Sequence, residues 1–164
     1  MKSLNPIHSR PYRPCVGLMI FNKYGLVFSG QRLDNPNDSW QLPQGGIDEG
    51  ENPIQAAFRE LEEETSITSA DFVAEYPDWI KYDVPKNLAN NLWDGKYRGQ
   101  TQKWLLFHFL GNDNEININT KAPEFKNWSW MEPNELSKKA IYFKKQVYEE
   151  INKIFIPVIK NFIN

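Results

Sequence analysis

The order of patterned segments predicts an α/β fold, a mixed β-sheet sandwiched between helices. Three observations carry this. Residues 53–65 (PIQAAFRELEEET) repeat apolar side chains at helical spacing, with Ile54, Ala57, Phe58 and Leu61 at i, i+3, i+4 and i+7. Residues 103–110 (KWLLFHFL) are a continuous apolar run of strand length. Strand-like segments stand on both sides of the first helix, and a second amphipathic helix closes the chain, an order that packs into layers.

In order, CVGLMIFN (15–22) and LVFSGQR (26–32) read as two strands joined by a turn at Lys23–Gly25. DNPND (34–38) reads as a loop. Trp40–Leu42 and Gly45–Ile47 are short strands around a Pro-Gln loop. The first helix has a marked start: Asn52 suits the N-cap and Pro53 the first helical position. Glu49 and Glu51 stand at the positive end of its dipole. Residues 72–84 alternate as strand structure broken at Pro77, and 85–100, with Gly95 and Gly99, read as a polar surface loop. The run 103–110 is a buried strand, and 125–131 alternates again through Phe125, Trp128 and Trp130. Residues 143–162 form the second helix, with Val147, Ile151, Ile154, Val158 and Phe162 as its stripe and Pro157 as a kink.

The first helix carries the chemistry. Glu60, Glu63 and Glu64 stand at i, i+3 and i+4, so three carboxylates share one side, next to an apolar stripe. Like charges at that spacing repel by roughly 0.2–0.5 kcal/mol, with Arg59 alone nearby in sequence to offset them. Oxygen-only ligands beside a core suit Mg²⁺ or Mn²⁺. Upstream, Pro43, Gly45 and Gly46 make a loop whose backbone can approach a ligand closely. A bare acidic cluster after a glycine turn is more often a solvated helix face, so the surrounding pattern decides.

Composition fits a single domain over 1–164: 40% apolar residues with 6 Trp, 7 Tyr and 10 Phe are enough for a sizeable core. A net charge of −2 gives no global basic field, which argues against a DNA-binding protein and makes any RNA contact local. The one cysteine, Cys15, excludes an internal disulfide, fits a reducing, cytoplasmic setting and reads as core. Two histidines, His8 and His108, are too few for a His-based metal site, and His108 reads as packing. The N-terminal MKSLNPIHSRPYRP has no apolar signal region, and no apolar stretch approaches the ~20 residues that span a bilayer.

The segment GGIDEGENPIQAAFRELEEETSI (45–67) resembles the Nudix box, G-x5-E-x7-R-E-U-x-E-E-x-G-U. Gly45, Glu51, Arg59, Glu60, Leu61, Glu63, Glu64 and Ile67 fall in register; Ser66 replaces the second glycine. That glycine suits a left-handed cap, where serine costs on the order of 1 kcal/mol. The flanking stretches YRPCVG (12–17), SWQLPQGGI (39–47), IKYDVPK (80–86), GQTQKW (99–104), APEFKNWSW (122–130) and YFKKQVY (142–148) resemble the bacterial RNA pyrophosphohydrolases and the related dinucleoside polyphosphate hydrolases.

The resemblance implies a Nudix fold and a Mg²⁺-dependent (or Mn²⁺-dependent) pyrophosphohydrolase. It would convert 5′-triphosphate or diphosphate RNA ends to monophosphates, priming RNA decay, or hydrolyse dinucleoside polyphosphates; a non-catalytic nucleotide-binding module is a third reading. It implies metal ligands among Glu60, Glu63, Glu64 and Glu124, completed by a carbonyl near Gly45, with the general base left open among Glu63, Glu64 and Glu124. It assigns Arg13 and Lys103 to the polyphosphate, Arg32 and Phe143 to stacking a base, and Ser39 and Lys144 to base-edge contacts. Read alone, Arg13 is as well a surface charge and Phe143 a core aromatic. Arg59 is expected to orient the helix carboxylates.

Overall fold

A computed structural model describes residues 4–34 and 38–164. Residues 1–3 and the centre of the 34–38 loop therefore lie outside the described residues. The fold is one mixed sheet of eight strands with helices on both faces. The strands are β1 (Tyr12–Phe21), β2 (Val27–Arg32), β3 (Trp40–Gln41), β4 (Gln44–Gly46), β5 (Ala70–Glu75), β6 (Ile80–Asp83), β7 (Gly99–Phe109) and β8 (Phe125–Met131). The helices are α1 (Pro53–Thr65), α2 (Lys86–Asn91), α3 (Pro133–Lys139) and α4 (Tyr142–Ile163).

The central pair is β1 and β7, parallel along their length from Tyr12↔Gly99 to Phe21↔His108. The other pairings are antiparallel: β2 and β4 on β1, β3 and β8 on β2, β5 and β6 on β7. Alternation along the central strands splits the core in two. Met19, Phe21, Trp104 and Leu106 pack with Val147, Tyr148, Ile151, Phe155 and Ile159 of α4. Val16, Leu18, Ile20, Leu105 and Phe107 pack with Ala56, Ala57 and Leu61 of α1.

α1 has the expected bounds. Asn52 caps it, accepting from the Gln55 N–H at 2.9 Å, while the Gln55 side chain accepts from the Asn52 N–H at 3.0 Å. This reciprocal box, with Pro53 behind it, fixes the start. Ser66 ends it in the left-handed region (φ +67°), as its place in the box requires.

Four expectations need correction. Residues 85–100 are not all loop: α2 and a 3₁₀ turn at Trp93–Gly95 lie there, and β7 begins at Gly99, four residues before the apolar run. The short helix α3, stabilised by Pro133 at its start, was not expected. On α4, Ile154 and Phe162 are exposed; the buried face runs through Lys144, Val147, Tyr148, Ile151, Asn152, Phe155 and Ile159. Pro157 lies inside this helix, which continues to Ile163. On α1, Phe58 is exposed at 39%, its ring edge-on to Phe107, while Glu64 takes a buried place.

Cys15 is buried in the core as read. His108 packs between the rings of Phe21 (4.9 Å) and Phe162 (4.7 Å), confirming the packing role. No helix among the described residues is long and apolar enough to cross a membrane.

Candidate active site

A cleft of about 440 Å³ opens at one end of the sheet, where β1, β4 and β7 meet α2 and the start of α4. Its walls bring together residues far apart in sequence. Glu60 and Glu64 come from α1, Gly45 and Gly46 from β4, Arg13 from β1, Arg32 from β2, Glu124 from the approach to β8, and Phe143 and Lys144 from α4.

Arg59 organises the acidic side. Its Nε and Nη2 donate to the two oxygens of Glu51 at 2.8 and 2.9 Å. Nη1 donates to Glu60 (2.9 Å) and Glu63 (3.1 Å), and Nη2 also reaches the Gly46 carbonyl (2.9 Å). The guanidinium so ties the glycine loop to the helix, and its hydrogen bonds hold the Glu51 carboxyl down to about 2. Glu60 rests against the Gly45 backbone so closely that any side chain at 45 would strike its carboxylate. Gly46 leaves the same room for Arg13.

Glu64 is the most constrained acid. It is buried, and its Oε2 has no hydrogen-bond partner. Burial, then the charges of Glu60 and Glu124, push its carboxyl well above the usual carboxylate range. Burial likewise raises Glu60. Glu124 is partly exposed, with Arg32 Nη2 at 3.5 Å. Among the described residues, no three carboxylate, His or Cys side chains converge as a ready metal cluster. The donor set nevertheless fits a divalent cation: Glu60, Glu64 and Glu124 line one cleft, all oxygen ligands, and Glu64 presents an orphaned oxygen.

The substrate-side residues divide. Arg13, Arg32, Phe143 and Lys144 line the cleft. Arg13 donates to the Cys15 sulfur at 3.2 Å and lies over the Trp93 ring, 5.8 Å from its centroid. Arg32 is held by both oxygens of Asp34 (2.9 and 3.2 Å). Phe143 stacks on Tyr82 with centroids 6.1 Å apart. Lys144 is buried and donates to Gln41 Oε1 at 3.2 Å; burial, then the Arg32 charge, lower its ammonium to about 7.

Three expected residues lie off the cleft walls. Lys103 projects to the other side of β7, where its ammonium donates to the carbonyls of Tyr76 (2.8 Å) and Pro77 (3.2 Å). Glu63 is largely exposed and engaged by Arg59. Ser39 lines a neighbouring depression with Trp40, Lys139 and Tyr142, which meets the cleft at Ile141. Sequence reasoning gave no role to Asp34, Gln41, Gln44, Tyr82, Trp93 or Gln100, all on the cleft. Buried glutamines in an apolar strand were the available signal, since buried amides need partners.

An acidic helix packed under a glycine loop, with Arg13 and Arg32 on the same cleft, is suited to hold a phosphate chain, as in a phosphate-handling hydrolase. The NUDIX domain profile matches residues 11–151. The chain is 49% identical over 158 residues to an RNA pyrophosphohydrolase of Cereibacter sphaeroides, covering 95% of this chain and 97% of the relative. It is 48% identical over 155 residues to one of Wolbachia pipientis, covering 94% and 95%. Among solved structures, the dihydroneopterin triphosphate pyrophosphohydrolase of E. coli aligns with a TM-score of 0.66 at 20% identity, covering 90% of this chain and 99% of that one, a likeness of fold. The chain belongs to the Nudix hydrolase family and is an enzyme of that family, which generally uses divalent metal ions.

Proposed function

We propose that this enzyme is an RNA 5′ pyrophosphohydrolase that hydrolyses 5′-triphosphate or diphosphate RNA ends in the cytoplasm, leaving a 5′-monophosphate and releasing pyrophosphate or phosphate respectively. One observation carries the reading: a single cleft holds the carboxylates of Glu60, Glu64 and Glu124 together with Arg32, which pairs with Glu124, and the Phe143 ring. A phosphate chain and a base are thereby gripped together. The near-full-length likeness to RNA pyrophosphohydrolases supports it.

Glu60, Glu64 and Glu124 would hold divalent cations, with a backbone carbonyl at Gly45 as a further oxygen. The cations would supply Lewis acidity to the phosphate oxygens and to the attacking water. The chain's own groups do the rest. Arg13 offsets the charge of the polyphosphate. Arg59 holds Glu60 and Glu63 in place. A carboxylate takes the proton of the water; Glu64 and Glu124 face the cleft, whereas Glu63 reaches it only by leaving Arg59. Arg32 and Phe143 offer flat faces to a base, and Lys144 a donor to its edge.

A second reading, hydrolysis of dinucleoside polyphosphates, is favoured by Trp93. It offers another aromatic face in the same cleft, held at φ +52°. Comparing turnover of 5′-triphosphate RNA and Ap5A at equal concentration with Mg²⁺ separates the two. Faster RNA turnover is expected; faster Ap5A turnover would install the second reading.

A further inference from the structure

The stretch GQTQKW enters the cleft through residues that the mechanism above does not use. Trp104 is buried, and its indole N–H donates to Gln102 Oε1 at 3.0 Å. An indole nitrogen is a donor only, so the Gln102 amide has a fixed sense: oxygen toward Trp104, nitrogen away. That nitrogen donates to Gln44 Oε1 (3.0 Å) and Gln100 Oε1 (2.8 Å). The Gln44 amide nitrogen in turn donates to Gln100 Oε1 at 3.3 Å, and the Tyr82 hydroxyl donates to the same oxygen at 2.8 Å. Three donors thus converge on Gln100 Oε1. Turning the Gln100 amide over would set its N–H group against those of Gln102 and Gln44; both would lose their bond to Gln100, and Gln102 would keep only its bond to Gln44 Oε1.

The consequence lies at the other end of Gln100. Its Nε2 makes no hydrogen bond among the described residues, and it is not among the buried atoms left without a partner. Gln100 lines the cleft, so this N–H group faces it. Gln100 stands directly opposite Arg13 in the parallel β1–β7 register. An arginine and an amide donor from adjacent strands therefore look into one space, and neither side chain accepts there.

We propose that Gln100 is a further substrate-binding residue whose amide N–H donates to a phosphate oxygen beside Arg13, and that Trp104 and Gln102 are positioning residues that lock its direction. The role deepens the polyphosphate reading of the cleft and rests on it. Gln102 and Trp104 touch no substrate; they act by denying Gln100 its other orientation. Without Gln102 one of the three donors on Gln100 Oε1 is gone; Gln44 and Tyr82 still hold the oxygen, but less firmly, and the turned amide, whose oxygen repels the phosphate, becomes more populated.

The test is direct binding of inorganic tripolyphosphate, measured by calorimetry in excess Mg²⁺, with adenosine as the phosphate-free control and a thermal melt for each variant. Gln100→Met is expected to weaken tripolyphosphate binding about tenfold. Gln102→Met should weaken it by a smaller factor, at least threefold, and leave adenosine binding unchanged. The double variant should be little worse than Gln100→Met alone, because Gln102 acts only through the Gln100 amide. Trp104→Phe keeps most of the core ring and serves as the second route to the unlocked state, with a loss of at least threefold expected. Tripolyphosphate affinity within twofold of wild type in Gln100→Met, or in both Gln102→Met and Trp104→Phe, would overturn the proposal. So would equal losses for tripolyphosphate and adenosine. Because the readout is binding, an enzyme that ignores RNA but keeps these tripolyphosphate effects would refute the RNA reading and leave the amide lock standing.

Discussion

Ser66 closes α1 in a left-handed conformation, and its hydroxyl donates to the Asn117 carbonyl at 2.8 Å. The Asn117 N–H meets the Thr65 carbonyl at 2.9 Å, so the helix end and the 112–118 loop are stitched from both sides. Sequence alone suggests that glycine here stabilises by about 1 kcal/mol. The hydrogen bond, worth about 0.5–1.5 kcal/mol, offsets that gain. Ser66→Gly should therefore change stability by less than ~0.5 kcal/mol, and Ser66→Ala, which keeps the strain and loses the bond, should cost roughly 1 kcal/mol. Urea denaturation of both variants checks this; a clear stabilisation by glycine would mean the Asn117 contact contributes nothing.

Glu64 combines a buried carboxylate with an oxygen that has no partner. Arg32 and the Gln44 N–H offset this buried charge only in part, so removing it favours the fold, and Glu64→Gln should melt higher than wild type without metal. It should also lose most turnover. Wild type should gain stability on adding Mg²⁺, in proportion to the logarithm of metal concentration above its dissociation constant, and the variant should gain less. Melts with Mg²⁺ and with EDTA, alongside turnover, give the answer. Equal Mg²⁺ shifts in both proteins, or full wild-type activity in EDTA, would contradict a metal site at Glu64.

Lys144 predicts a pH dependence of stability. Burial lowers its ammonium to about 7 in the folded state, against an ordinary value of 10.5. Between these two values the unfolded chain binds the extra proton, so this residue's contribution makes the fold more stable as pH rises through that window. Below about 7 the charged lysine burdens the fold fully. Lys144→Met should thus stabilise most near pH 6, on the order of a few kcal/mol, with the advantage shrinking toward pH 10. Urea titrations of both proteins across that range test it; an advantage that does not vary with pH would show that Lys144 titrates normally.

Phe143 stacks on Tyr82 and meets the Tyr142 ring at 90°, yet it lines the cleft, where a base could reach it. Phe143→Ala should lose stacking worth ~1–3 kcal/mol on a triphosphate RNA of two or more nucleotides. The loss on a nucleoside triphosphate should be smaller. Kinetics on the two substrates, with a melt, decide the matter: equal losses and a melt lowered by a core-sized ~3–5 kcal/mol would assign the ring to the core.

The first helix was legible because everything that makes it is local. The cap at Asn52, the proline behind it, the spacing of Ala57 and Leu61 and the turn at Ser66 act within a few residues, where backbone geometry alone decides who meets whom. The layer order was legible for a similar reason, since alternating apolar segments must be buried on a sheet face or under a helix. Of the residues that line the cleft, the sequence pointed only to those on that helix and those carried by the family resemblance.

The sense of β7 was not legible. Lys103 and Gln100 differ by an odd number of positions, so they face opposite sides of the sheet, and only the register against β1 and β6 sets which side is the cleft. That register placed Gln100 beside Arg13 and turned Lys103 to the carbonyls of Tyr76 and Pro77. Likewise Glu64 and Lys144, eighty positions apart in the chain, face one cleft because α1 and α4 pack on opposite faces of the sheet and reach the same end of it. The sequence by itself determined the helix, its three carboxylates and the layers. The tertiary structure decided which side chains share the cleft, because strand register and helix docking are set by burial summed over the whole sheet and not by neighbours along the chain.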